Sequence, residues 1–158
     1  MERQKVPVAV HLILKHNNMI LLLRRFNTGF ADGCYGLVAG HVDGDETILE
    51  AMSREALEEA GITINPEWLN IVQVMYRKKP EEMRIDYFLV TEKWEGNISN
   101  CEPDKCDDVS WFPCDELPSK MVPYMKAGII YFEQGKSFTM FGFDEDTDSE
   151  ICSHNSIV

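Results

Sequence analysis

The chain has 158 residues, 44% hydrophobic and 27% charged, which bounds it to one globular domain with enough length for a sizeable core. Its formal net charge of −12 argues against a nucleic-acid polymer or an anionic membrane as the main partner, although a small anion that brings its own cation can still bind. No secretory leader or apolar run of membrane-spanning length is visible, and the odd set Cys34, Cys101, Cys106, Cys114 and Cys152 contains no CxxC. A reducing, cytoplasmic setting follows. Cys101, Cys106, Cys114 and His154 fit no zinc-ligand spacing and read as packed or surface thiols.

Residues 6–14 alternate as a strand, His16-Asn17-Asn18 turns the chain, and residues 19–25 return beside it. Arg24 and Arg25 close the second strand, where they could simply charge a sheet edge. His11 reads as a strand residue with a satisfied side chain. Residues 26–35 form a loop whose aromatics, Phe26, Phe30 and Tyr35, either stack on a base or lid a small core. Both readings stay open.

A helix follows with legible ends. Thr47 and Glu50 form a capping box, and Gly61 stands where a left-handed C-terminal cap is needed. Leu49, Met52, Ala56 and Ala60 make its apolar stripe. Beyond it, residues 68–78 and 85–94 read as strands joined by a charged loop containing Pro80. Residues 97–108 are irregular, 109–112 form a short strand, and 115–134 a helix whose first turn is blurred by Pro118 and Pro123. Residues 138–143 form a last strand or packed coil. The acidic tail, 144–158, has little to bury and is expected to be loose or disordered, leaving residues 1–143 as the single domain.

The carboxylates of the first helix carry the chemistry. Glu55, Glu58 and Glu59 fall within an arc of roughly 100°, beside the apolar stripe. Like charges so placed weaken a helix, and a divalent cation would reverse the sign of their interaction. Oxygen donors without His or Cys nearby suit Mg2+, or Mn2+, rather than Zn2+. A solvated acidic face is the bland alternative for residues 55–60 taken alone. The longer pattern is Gly40, Glu46, Arg54-Glu55, Glu58-Glu59 and Gly61 at fixed spacing, closed by the aliphatic Ile62. Seven such positions at about 6% usage each would arise by chance in fewer than roughly one chain in a million.

This pattern resembles the signature box of Nudix hydrolases, which cleave nucleoside diphosphates linked to another moiety; Ala56 is smaller than the box prefers. The resemblance covers most of residues 6–134 and implies an α/β/α sandwich around a mixed β-sheet. It implies that Gly40, through its carbonyl, and Glu55, Glu58 and Glu59 hold Mg2+. Glu102, eight residues beyond Trp94, is carried over as a further metal ligand or base, against the alternative of a solvated loop acid. Glu55 or Glu59 accepts a proton, and Arg54 orients a carboxylate. Glu46 steadies the loop, helped by Asp43 or Asp45, with His41 near the phosphates. Arg25 is the member of its pair expected to face phosphate, and Phe30 and Tyr35 are the candidate base contacts.

The activity so implied is Mg2+-dependent cleavage of a nucleoside triphosphate to monophosphate and pyrophosphate. The alternatives are an ADP-ribose or nucleotide-sugar pyrophosphatase and, in another class, a non-catalytic nucleotide sensor, which the intact Arg54-Glu55 and Glu58-Glu59 argue against. Relatives that remove 8-oxo-dGTP often carry an Asn or Asp near the start of the last helix. Here that stretch is Leu117-Pro118-Ser119-Lys120-Met121, with nothing suitable nearer than Asp115 and Glu116. ADP-ribose hydrolases tend to carry a proline some way after the box, and Pro80 lies close to that distance but not on it. The partner is a small nucleotide, and a homodimer is compatible with the reading.

Overall fold

The structure is a computed structural model that describes residues 1–154. Strands β1 (Val8–His16), β2 (Met19–Arg25), β3 (Tyr35–Gly36) and β4 (Val38–His41) precede helix α1 (Ile48–Ala60). After a 3-10 turn at Pro66–Trp68 come β5 (Asn70–Lys78), β6 (Met83–Thr91), β7 (Cys106–Pro113), α2 (Pro123–Glu133), β8 (Phe138–Phe141) and α3 (Glu145–Ser153). The sheet runs β3-β2-β1-β6-β5-β8, with β4 added to β1 and β7 to β2. The β1–β6 and β5–β8 pairs are parallel and the other pairs antiparallel, so the sheet is mixed as expected.

One edge of β1 is shared. Residues Ala9 to Leu12 pair with β4, whereas only Lys15 and His16 pair with β2. The two partners diverge from that edge like the tines of a fork.

The period-2 alternation of the strands divides the core between two faces. Val10, Leu12, Leu14, Leu21 and Leu23 pack with Ala51, Met52, Ala56 and Ala60 of α1. On the opposite face, Ile13, Ile20, Leu22 and Phe88 pack with α2 and with Ile151 of α3. This is the α/β/α sandwich. Gly128 lets α2 lie against the sheet, because a Cβ there would overlap the Phe88 ring.

The α2 side also buries a polar cluster. Arg77 donates to Asp86 at 2.6 and 3.2 Å, with the two side chains 8% and 0% exposed. The Arg77 guanidinium lies 3.6 Å from the centre of the Tyr124 ring. His11 sits beside them, its Nδ1 3.2 Å from the Tyr87 carbonyl and its Nε2 3.1 Å from the Tyr124 hydroxyl. A carbonyl only accepts, so Nδ1 carries the proton and Nε2 accepts from Tyr124. Burial pushes His11 down to about 4, against the opposing pull of Asp86, and pushes Tyr124 up to about 12. His11 is thus a neutral, satisfied strand residue.

Helix α1 carries both expected caps: Thr47 accepts from the Glu50 amide while the Glu50 side chain accepts from the Thr47 amide, and Gly61 closes it at φ 69°. Its stripe is shifted slightly, with Ala51 fully buried and Leu49 only partly. Three expectations are corrected. Helix α2 begins at Pro123, not at 115, because Val122 before the proline is held out of helical geometry at ψ 118°. The start of the tail is ordered rather than loose: Asp144 caps α3 by accepting from the Thr147 amide, and Ile151 is buried against the α2 core. Acidic residues in its first turn suit the helix N-terminus. Residues 155–158 of that tail lie outside the described residues. Lastly, β7 starts at Cys106, inside the segment expected to be irregular, since its pairing with β2 is non-local.

Candidate active site

Strand β4 brings Gly40 against α1 with no room to spare. A Cβ at this position would overlap Glu55 Oε1 and push that carboxylate from its place, which glycine avoids. From the same helix, Glu59 reaches back to accept from the Ala39 amide at 3.3 Å. The junction of β4 and α1 therefore sets one glycine and two glutamates side by side.

Arg54 ties the connecting loop to this junction. Its Nε and Nη2 donate to Glu46 at 3.0 and 2.7 Å, a bidentate pair, and Nη2 also donates to the His41 carbonyl at 2.9 Å. Its Nη1 reaches Glu55 at 2.9 Å and Glu58 at 3.3 Å, and Asp43 lies 3.4 Å away. One guanidinium thus faces four carboxylates. Arg54 holds the Glu46 carboxyl down at about 2, and Glu46 in return raises the guanidinium further.

The charge left over collects at Glu55 and Glu59. Burial raises the Glu55 carboxyl, opposed by Arg54 and reinforced by Glu58 and Glu102. Glu59 is pushed up to about 9, first by burial and then by Glu55, with Glu102 adding to it. Glu102, in the loop before β7, is near enough for its charge to act on both. Among the described residues no three of these side chains close on a single point as a formed metal site does. The donor set nevertheless fits a divalent cation: hard oxygens, a shortage of positive charge, and a glycine whose missing Cβ clears the space.

A cleft of about 420 Å³ lies beside the fork between β2 and β4, bounded by the end of β2, by Gly36, Leu37 and Ala39, and by residues of α1, α2 and the loop before β7. Glu59 and Glu102 line it, with Arg24, Arg25 and Lys105 on its walls and Leu23, Leu37 and Met125 among its apolar residues. Arg25 reaches the cleft but also holds the 26–34 loop. Its Nε donates to the Phe30 carbonyl at 2.7 Å, its Nη2 donates to Thr28 at 3.1 Å, and its guanidinium lies 5.3 Å from the Phe30 ring centre. Asp32 closes the loop by accepting from the amides of Thr28 and Gly29.

The loop aromatics separate. Phe30 is 53% exposed beside Arg25 and is not among the cleft residues. Tyr35 takes the packing reading in place of base contact: it meets Phe112 edge-on at 4.8 Å, donates to Asp108 at 2.5 Å and packs on the α2-side core. His41 is exposed at the end of β4, its Nε2 2.9 Å from Arg84 Nη1. Glu58 lies on the outer side of the carboxylate group, 53% exposed.

Lys105, Asn27, Thr28, Met125 and Arg84 are site neighbours that sequence reasoning missed. Asn27 left a trace as a turn residue, realised here at φ 55°. Lys105, which pairs with Glu102 at 3.5 Å, left none. No disulfide joins the five cysteines, and no helix among the described residues is long and apolar enough to cross a membrane.

Residues 4–132 match the family model described as NUDIX domain. The chain is 46% identical over 111 residues to an ADP-ribose pyrophosphatase of Methanocaldococcus jannaschii, covering 70% of this chain and 64% of that protein. An 8-oxo-dGTP diphosphatase of Escherichia coli is 29% identical over 93 residues, 59% of this chain and 70% of that one. An NAD-capped RNA hydrolase of Chromobacterium violaceum is 25% identical over 75% of this chain, and only 42% of its own length is spanned. The fold is similar to that of a MutT NUDIX hydrolase from Burkholderia pseudomallei, with a TM-score of 0.73, 24% identity, and coverage of 80% and 97% of the two chains.

Proposed function

Because this chain belongs to the NUDIX family of hydrolases, which act on pyrophosphate bonds of nucleotide-containing substrates, we propose that it cleaves the diphosphate of an ADP-ribose-type nucleotide. The observation that supports hydrolysis is a cleft that Glu59 and Glu102 line together with Arg25 and Lys105, with Glu55 next to Glu59. The 46% identical relative supports ADP-ribose ahead of the triphosphate favoured from sequence. The late start of α2 adds to this, since the residues just before it, Lys120-Met121-Val122, offer no amide or acid to a purine edge.

Members of the family generally need a divalent metal. Here the Gly40 carbonyl, Glu55, Glu58, Glu59 and Glu102 would hold Mg2+ or Mn2+, which when bound neutralises the diphosphate and acidifies a water. Arg25 and Lys105 hold phosphate oxygens of the substrate, while Leu23, Leu37 and Met125 exclude water from one wall of the cleft. Arg54 fixes Glu55 at the reacting phosphorus, and Glu46 and the His41 carbonyl fix Arg54 in turn. Glu55 or Glu59 accepts the proton of the attacking water. These carboxylates titrate together, so the role belongs to the pair.

A phosphate-release screen with product analysis tests the proposal. AMP and ribose 5-phosphate from ADP-ribose, formed with Mg2+ and abolished by EDTA, are the expected result. Nucleoside triphosphates cleaved to monophosphate and pyrophosphate in preference would establish the second reading, which the Escherichia coli relative supports. Full activity in excess chelator would sink the metal mechanism, and nucleotide binding without turnover would make the chain a sensor.

A further inference from the structure

Among the described residues strand β8 ends the sheet opposite the cleft, paired on one side only, in parallel with β5. Natural edges are commonly protected by a proline, an inward charge or a covering element. Phe138-Thr139-Met140-Phe141 has neither a proline nor a charge. Thr139 turns to the α2 side, where its hydroxyl donates to Gln73 at 2.6 Å, so Phe138 and Met140 share the other face. They are 61% and 55% exposed, and they continue across Val74 and Tyr76 of β5 to Phe143, itself 50% exposed. The chain then leaves the edge through Gly142, at φ 89°, whose amide donates to Asp148 of α3.

From this we infer that the chain forms a two-fold dimer by antiparallel pairing of β8 with β8 of a second copy. Three features select a copy of the same strand over another partner. The strand is basic just before its start, at Lys136, and acidic just after its end, at Asp144, Glu145 and Asp146. Only an antiparallel arrangement sets each basic flank beside an acidic one. A register centred on Thr139 places each Phe138 directly opposite Met140 of the other copy, on one face, and Lys136 opposite Gly142, next to the acidic turn. Two chains of net charge −12 repel overall, so a contact between copies is favoured where opposite charges can meet, as the two flanks of β8 do. The isologous pairing closes and offers no further free edge at β8. Both clefts, beside the fork of β2 and β4, stay open.

Analytical ultracentrifugation of the full chain over a dilution series tests the pairing, alongside amide exchange. The expected result is a dimer at high concentration, with exchange of the 138–141 amides slowed on association. Met140→Lys should give a monomer with an unchanged circular dichroism spectrum and, at dilutions where the wild type is also monomeric, an unchanged melting curve, because the side chain is exposed. Lys136→Glu should weaken the dimer about tenfold or more, and adding Glu145→Lys to it should restore much of the affinity. A wild-type chain that stays monomeric throughout overturns the proposal. So does a dimer that survives Met140→Lys, protection that falls outside β8, or a charge reversal that its counterpart does not rescue. A heterologous peptide that binds at β8 while the chain alone stays monomeric would assign the edge to a different partner.

Discussion

Two arginines of this molecule sit among carboxylates, with opposite outcomes. Arg77 has one acid, Asp86, and the pair is shut into the core with a neutral His11 and the Tyr124 ring closing around it. Arg54 has four acids and stands partly open at the cleft side of α1. The first cluster balances its charge and satisfies its donors, which is what burial demands. The second leaves negative charge unspent, and Glu59 shows the strain by holding its proton up to about 9. A balanced buried pair is complete in itself, whereas an unbalanced half-buried one has a donor set that suits a cation.

Removing one partner of the balanced cluster has the largest expected effect. Asp86→Ala leaves Arg77 buried and unpaired and should lower stability by about 3–5 kcal/mol, read from denaturant unfolding. A loss of under about 1 kcal/mol would mean that water reaches Arg77 and that the two clusters differ little in their access to solvent.

The same cluster responds to acid. His11 is held at about 4 in the fold against an ordinary 6.5, so the unfolded chain takes up its proton first as pH falls. Its contribution is complete above pH 6.5 and is lost progressively toward pH 4, on the order of 3 kcal/mol in all. His11→Gln, which keeps a donor for the Tyr87 carbonyl and an acceptor for Tyr124, should flatten the stability profile in that window.

In the unbalanced cluster the effect moves from stability to rate. Glu55→Gln or Glu59→Gln should reduce turnover by about 10²-fold or more. Without Mg2+, Glu59→Gln should melt no lower than wild type, because a buried acid and its repulsion are removed. With Mg2+, the wild type alone should gain the full stabilisation. Wild-type rates in both variants would make α1 a solvated acidic helix. Glu50→Gln gives the smallest change: its amide oxygen can still accept from the Thr47 amide, so stability should stay within about 0.5 kcal/mol and turnover should hold.

What was legible in the sequence was local. Both caps of α1, the strand Met19–Arg25 and the spacing of Glu55, Glu58 and Glu59 depend on residues within a few positions of each other. Arg54 was readable as a carboxylate partner, but not the identity of its main one, Glu46, eight residues back across a loop. Arg84 in β6, Lys105 just before β7 and Met125 in α2 reach the site through non-local pairing and packing, which no period reveals. The tail misled because nine residues with one buried side chain look polar in sequence, while a single Ile151 docked on α2 is enough to fix them once Asp144 caps the turn.

The forked edge of β1 has a thermodynamic consequence. The cleft takes part of its walls from β2 and β4, strands that main-chain hydrogen bonds hold to one neighbour, β1. A ligand entering the cleft finds that backbone already arranged, and little of its conformational freedom remains to be lost. Association of nucleotide should therefore change amide exchange in the 26–34 loop while leaving β2 and β4 as they were.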